Sequence, residues 1–437
     1  MIAPIETTTQ IFTAGSIAAL LLFLATYAVI ISERVHRTII ALFGAATMII
    51  LGIMFEFYDQ HSAVSAVDFN TIGLLIGMMI IVTITKHSGL FQYVAIKAAK
   101  LAGGDPWKIL LLFALITAVF SALLDNVTTV LLMAPMTLVI CANLKINPIP
   151  LLITQILVSN IGGAATLIGD PPNILIGSAA GLSFMDFVAN LGPIVVVLLV
   201  VLIPLFKWYY KDKIKTEKQY MERILKMKEA DSIKDRLLMK KSIFVLALVM
   251  LGFLLHGVLG LEGATIAIFG GALLLLLDDK HFESVLHEIE WTTIFFFVGL
   301  FILVGGLEHV GVMGWAADQF LQFTNGSLTT TAIVILWSSA IFSAFIDNIP
   351  FVATMIPLVE NMHATFGDLN PLWWALALGA DLGGNGTLIG ASANLIVADI
   401  AKKADFNIGF KEFMKVGLVV MVITVTIAMG YIWLRYL

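Results

Sequence analysis

The chain has 437 residues, 59% of them hydrophobic and only 13% charged, with a formal net charge of −5 and a mean hydropathy of +0.99. A soluble domain carries about a quarter charged residues, and the apolar runs here, roughly 17 to 22 residues, match a hydrocarbon core about 30 Å thick. A soluble domain and a nucleic-acid partner are therefore excluded, and a polytopic helical protein of the lipid bilayer remains. The single cysteine, Cys141, rules out an internal disulfide and any multi-thiol metal site, and reads as packing.

No basic residue precedes Arg34, so the N-terminus lacks the positive region of a signal peptide, and the first helix is expected to be retained. Spanning segments fall near 14–32, 38–55 and 70–86, then a long apolar stretch 107–144, then 150–180 and 188–208. The polar segment 207–241 holds 12 of the 25 basic residues and reads as a solvated loop with a helical stretch. A second series follows near 242–258, 262–277, 291–307, 327–363, 372–400 and 413–434. Segments 88–103 and 311–325 are too mixed to span and read as interfacial helices. Trp373 and Trp374 are expected to anchor at a membrane interface.

The second series repeats the first. "FSALLDNVTTVLLMAP" (120–135) aligns with "FSAFIDNIPFVATMIP" (342–357) at an offset of 222, matching Asp125 to Asp347 and Asn126 to Asn348. "NIGGAATLIGDPPN" (160–173) aligns with "DLGGNGTLIGASAN" (381–394) at an offset of 221, matching Gly162-Gly163 to Gly383-Gly384, Thr166 to Thr387 and Asn173 to Asn394. Asn160 faces Asp381, Ala164 faces Asn385, and Asp170 faces Ala391. His87 and His309 also match, near the membrane faces, where interfacial hydrogen bonding is favoured over proton relay.

Orientation follows from lysine and arginine. With the N-terminus outside, 24 of the 25 basic residues, including Arg34, Arg37, Lys280 and the whole of 207–241, become cytoplasmic, and only Arg435 is outside. Each half then makes five crossings plus one hairpin, and the odd number inverts the second repeat. The expected organisation is a first transmembrane repeat (14–208), a cytoplasmic linker (207–241) and a second, inverted repeat (242–435).

An aspartate at bilayer depth costs about 2.5–3.5 kcal/mol and usually marks an ion pathway or proton relay. Asp125 and Asp347 each sit near the middle of an apolar stretch of roughly 37 residues, and the economical geometry is a re-entrant hairpin with Asp-Asn at its tip. Glycine costs about 1 and proline about 3 kcal/mol in a helix interior, so the Gly-Gly segments are expected to break their helices. A lone Gly-Gly pair more often marks close helix packing. Matched breaks in inverted repeats, each beside Asp, Asn or Thr, instead point to the midplane site of a secondary transporter. Asp170 leaves two roles open, a cap before Pro171-Pro172 or a part in transport.

On "FSALLDNVTTVLLMAP" and "SNIGGAATLIGDPPN" the chain resembles the ArsB/NhaD branch of the ion transporter superfamily, with its nearest likeness to the melanosomal P-protein type of permease. The likeness covers 14–434 and implies an all-α fold of two inverted repeats, each with a hairpin and a broken helix around a central site. Carried onto this sequence, the ion- or substrate-binding residues would be Asp125, Asn126, Thr128, Asn160, Gly162, Gly163 and Thr166. From the second repeat they would be Asp347, Asn348, Asp381, Gly383, Gly384, Asn385 and Thr387. Asp125 and Asp347, taken as unpaired, would bind and release protons. The resemblance implies no enzyme activity and no cofactor. It brings two partners that the sequence does not display, a second copy of the chain and an ATPase subunit.

Dicarboxylate carriers of this kind resemble Ser-Asn-Thr at the tips, whereas Asp125 and Asp347 here would repel a di- or tricarboxylate. Expected is proton-coupled export of arsenite or antimonite by alternating access, at the cell's inner (plasma) membrane. The alternative is Na+/H+ antiport; an organic-anion carrier and a channel rank lower. An aspartyl intramembrane protease is disfavoured, because Leu124 and Ile346 precede the aspartates and Asn follows each.

Overall fold

In the computed structural model, which describes residues 13–32, 34–278 and 282–437, every long apolar run is helical, and no strand occurs among those residues. The first repeat contains α1 (Ala14–Ser32), α2 (Arg37–Met54), α3 (Phe69–His87), α4 (Leu90–Leu101), α5 (Pro106–Leu123), α6 (Asn126–Leu144), α7 (Ile149–Gly163), α8 (Pro171–Ala180) and α9 (Gly192–Tyr210). The second contains α10 (Arg236–Leu259), α11 (Gly263–Leu277), α12 (Trp291–His309), α13 (Val312–Phe323) and α14 (Leu328–Phe345). It continues with α15 (Asn348–Glu360), α16 (Asn370–Gly383), α17 (Ser392–Lys403) and α18 (Phe410–Tyr436). Each helix of the first set has its counterpart nine labels later. Lys280 and residues 1–12 lie outside the described residues, so the expected sides of Lys280 and of the N-terminus find no structural counterpart here.

Ten of the described helices are long and apolar enough to cross a membrane: α1, α2, α3, α5, α6, α9, α10, α12, α14 and α18. Helices α7 and α8, and likewise α16 and α17, are shorter pieces in line with the expected broken spans. The hairpins are pinned by their aspartates. Asp125 is the N-cap of α6, accepting from the Thr128 amide at 2.6 Å, and Asp347 caps α15 from the Ile349 amide at 3.1 Å. The restart of the first broken span is set by Pro171-Pro172, which occupy the first turn of α8, where a missing N–H costs nothing.

Lipid tails give helices no hydrophobic reason to associate, so small residues that permit close approach do the joining. A Cβ on Gly162 would lie 2.4 Å from Ala118 O, and one on Gly383 would lie 2.5 Å from Ala340 O, so each broken span is pressed against its hairpin. The Gly-Gly pairs thus do both jobs: the first glycine packs, and the helix ends at or beside the second.

One expectation changes here. Trp373 and Trp374 are not at an interface: they are 4% and 2% exposed, and Trp374 meets Phe187 edge-on at 5.2 Å between centroids. Residues Pro371–Gly383 of α16 are all buried, so this helix has no lipid face on which an aromatic anchor could sit. Arg37, the first residue of α2, turns inward, as described below.

Both histidines are hydrogen-bonded. His87 Nε2 lies 2.8 Å from Glu288 Oε1, and His309 Nδ1 donates to Gly305 O at 2.9 Å. Glu288 is partly buried, which works against its charge, yet Lys86 and His87 outweigh this and hold its carboxyl below the usual range.

The segment 207–241 contains a helix, Lys218–Lys226, and docks on α4 and the turn before it: Lys234 N donates to Ser88 O at 3.0 Å, and Lys100 pairs with Glu229 at 2.6 Å. The contact depends on Gly89, whose φ is +84° and whose missing Cβ would lie 2.0 Å from Ser232 O. Its counterpart Gly311 has φ +74° and open space around the same position. Gly311→Ala should therefore cost only the left-handed backbone, about 1 kcal/mol. Gly89→Ala should cost more and release the linker, which protease sensitivity of 207–241 and thermal unfolding will show.

Candidate functional site

Both hairpin tips and both helix breaks meet in one buried cluster, and the two repeats build it with matching bonds. Ser121 Oγ donates to Ser159 O at 2.6 Å, and Ser343 Oγ donates to Ala380 O at 2.6 Å. Thr166 Oγ1 donates to Ala122 O, as Thr387 Oγ1 does to Ala344 O, tying each tip to the break of its own repeat. Asn173 Nδ2 closes the first break on Gly163 O (3.3 Å) and Thr166 O (3.1 Å). Asn394 Nδ2 closes the second on Gly384 O (2.8 Å) and Thr387 O (2.9 Å). Carbonyl oxygens freed by the breaks are thus partnered from within, as a buried backbone requires.

Across the two repeats the bonds are asymmetric. Asp170 stands at the N-cap of α8 but accepts no capping bond. Its Oδ2 instead accepts from Asn126 Nδ2 at 2.5 Å and its Oδ1 from Asn348 Nδ2 at 3.3 Å, so one carboxylate joins both tips. Of the two roles left open for Asp170, the capping bond is not the one observed. Asn160 Nδ2 reaches into the second repeat, donating to Asn385 Oδ1 (3.0 Å) and Asn394 Oδ1 (3.1 Å), while its Oδ1 accepts from Asn126 at 3.3 Å. Asn385 Nδ2 returns the contact to Leu157 O at 3.2 Å.

The tip aspartates differ from each other. Asp125 takes its bonds locally, from the amide of Thr128 and from Thr128 Oγ1 at 2.5 Å. Asp347, expected to be unpaired, is ion-paired: Arg37 Nη1 is 2.6 Å from its Oδ2, and Ser392 Oγ donates to the same oxygen at 2.7 Å. The side chains of Arg37 and Asp347 are only 30% and 15% exposed. The reason lies at the start of α2, whose first residue is Arg37 and which faces the second hairpin's tip.

Beside the cluster is a cavity of about 230 Å³, lined by Asp125, Asn126, Thr128, Asp170 and Asn348, by Glu290 at the N-cap of α12, and by Arg37. Its acidic groups, Asp125, Asp170 and Glu290, outnumber its one cation, and that cation already serves Asp347. A second cavity of about 420 Å³ is lined by Asp68, Glu308 and Glu360. Helix α8 contributes to both: Ile174 lines the first, Leu175 and Ser178 the second.

All the residues named from sequence therefore converge on this cluster, with the glycines as packing points. Sequence reasoning missed Arg37 and Glu290, which act from helix starts distant in sequence, and gave no role to Asn173 and Asn394, although their pairing in the repeat was the available signal. No group of three or more His, Cys, Asp or Glu placed to hold a metal ion occurs among the described residues.

Two repeats of paired hairpins and broken helices around a polar cluster are the architecture of a membrane transporter. A family model described as "Citrate transporter" (CitMHS) matches residues 27–379, and the chain belongs to that family. It is 44% identical over 424 residues to an uncharacterized transporter of Mycobacterium tuberculosis, covering 96% of this chain and 99% of that one. The human P protein is 35% identical over 487 residues, covering 93% of this chain and 58% of its own length. The crystal structure of the Alcanivorax borkumensis YdaH transporter, described as having an unusual topology, superposes with a TM-score of 0.60 at 14% identity, covering 97% of this chain and 98% of that one. That last likeness is one of fold.

Proposed function

We propose that the chain is a proton-coupled secondary transporter of a small inorganic solute that carries no negative charge, with arsenite and antimonite as the first substrates. The observation that carries this reading is the acidic cavity between the tips, whose only cation is already paired with Asp347. A citrate-like polyanion would meet Asp125, Asp170 and Glu290 there, and like charges at low dielectric repel strongly. Neutral trihydroxy arsenite would instead find carboxylate, amide and hydroxyl partners in Asp125, Asn126, Thr128 and Asn348. Asp125, which faces the cavity without a basic partner, is the tip carboxylate suited to binding and releasing a proton. Asp347 can do so only by leaving Arg37.

Alternating access rests on α8, a ten-residue helix with a cavity on either side. The chain would work in the inner (plasma) membrane with segment 207–241 in the cytoplasm. A second copy or an ATPase subunit would act outside this site. The same oxygen-rich cavity also suits Na+, a hard cation, and Na+/H+ antiport is the second reading.

Proteoliposomes with an imposed pH gradient test the reading. Arsenite uptake that saturates and follows the gradient is expected, and Asp125→Asn should bring it to the level of protein-free vesicles while the protein stays folded. Gradient-driven 22Na+ flux without arsenite flux would select the second reading. Citrate uptake would sink both.

A further inference from the structure

The two breaks are built alike except at one bond. Asn394 has its Nδ2 committed to two carbonyls, so its Oδ1 faces Asn160, which donates to it at 3.1 Å. The repeat relation carries Asn160 onto Asp381 and Asn394 onto Asn173. Asn173 Nδ2 is likewise committed to two carbonyls, Gly163 O and Thr166 O, which fixes its Oδ1 towards the other side. The repeat relation, which sets Asn394 Oδ1 against Asn160, sets Asn173 Oδ1 against Asp381. Neither Asn173 Oδ1 nor either carboxyl oxygen of Asp381 has a hydrogen-bond partner, and the two residues are 0% and 1% exposed. Acceptor faces acceptor where the other repeat has a donor. Such an arrangement is costly unless something supplies the missing hydrogen.

The surroundings offer no counter-charge. Helix α16 carries only Asp381, and of the helices packed on it, α7, α8 and α14 carry no charged residue. On α15 the charged residue is Glu360, at its last position, and on α18 they are Lys411, Glu412, Lys415 and Arg435, towards its ends. The charged group within the cluster, Asp170, which accepts from both tips, has the same sign as Asp381. An isolated buried carboxylate is among the most expensive groups a protein can hold.

We propose that Asp381 is a proton-binding site of this transporter, its carboxyl donating to Asn173 Oδ1 in the closed cluster and exchanging that proton when the two breaks part. The proton comes from water and returns to water when the cluster opens, and only O–H bonds are made and broken. The exchange rests on the coupling reading above; occupancy by a proton does not. The assignment adds a titrating group inside the core to the one at the cavity wall, Asp125.

Infrared spectroscopy of the full chain in lipid, with carboxyl-13C aspartate, tests it. A protonated-carboxyl stretch that shifts with the label and vanishes in Asp381→Asn is expected. That variant should fold, because it recreates the amide pair already present at Asn160 and Asn394, and its flux should no longer follow the pH gradient. Asn173→Ala, which keeps Asp381 but removes the acceptor, should move the same band. Absence of any Asp381-dependent band overturns the proposal. So does an unfolding temperature that rises with Na+ at constant pH in the unsubstituted chain and not in Asp381→Asn, because the occupant is then a metal cation. Unsubstituted protein whose flux ignores the gradient would sink the coupling reading, while the band would still report whether Asp381 holds a proton.

Discussion

Asp170→Ala is expected to bring gradient-driven flux to background and to lower stability by about 1–3 kcal/mol, the cost of leaving a buried donor unpaired. Two amides depend on this one carboxylate, Asn126 from the first tip and Asn348 from the second. Asn126 keeps Asn160 as an alternative acceptor, whereas no other acceptor among the described residues takes a bond from Asn348 Nδ2, so the second tip should loosen first. Asp170→Asn sharpens the test. Its amide offers one acceptor where two are used, so one tip must face a donor with a donor. Both variants should fold and neither should transport. Wild-type flux in Asp170→Asn would show that the tips need not be held by a common charge.

Arg37→Gln should be the most destabilising single change near the site. It would leave Asp347 with only Ser392 Oγ and the Ile349 amide, 15% exposed and without a cation. Breaking a fully buried pair costs roughly 3–5 kcal/mol, and the partial exposure of Arg37 brings the expected loss to about 2–3 kcal/mol. Adding Asp347→Asn should recover part of it, with an interaction energy of about 1–3 kcal/mol in a double-mutant cycle read by thermal unfolding. Additive losses would show that the pair contributes nothing despite its 2.6 Å separation.

Much of this architecture is legible in the sequence because the repeat preserves polar residues where apolar similarity alone would not. The hairpin ends, the two breaks and the short helices α4 and α13 all fall where glycine, proline and aspartate interrupt apolar runs, since those residues change backbone energetics locally. Charge partners are another matter. Arg37 looks like any other arginine beside a membrane helix, and nothing nearby announces that it meets Asp347, 310 positions away. Trp373 and Trp374 fail for a related reason: an aromatic pair at a helix start reads as an interfacial anchor unless one knows that α16 is enclosed on all sides. Asp170 is intermediate. Its departure from the repeat, opposite Ala391, was visible, but only the folded chain shows two hairpins converging on it.

That departure bears on how the gene can have changed since its duplication. While both halves were alike, a single half inserted in both orientations could have assembled with itself. A pair of second halves would now present Ala391 twice and offer neither Asn348 amide its acceptor; a pair of first halves would place two aspartates in the space where one now serves both tips. The halves have ceased to be interchangeable, so neither should complement a chain lacking its counterpart when supplied as a duplicate of itself.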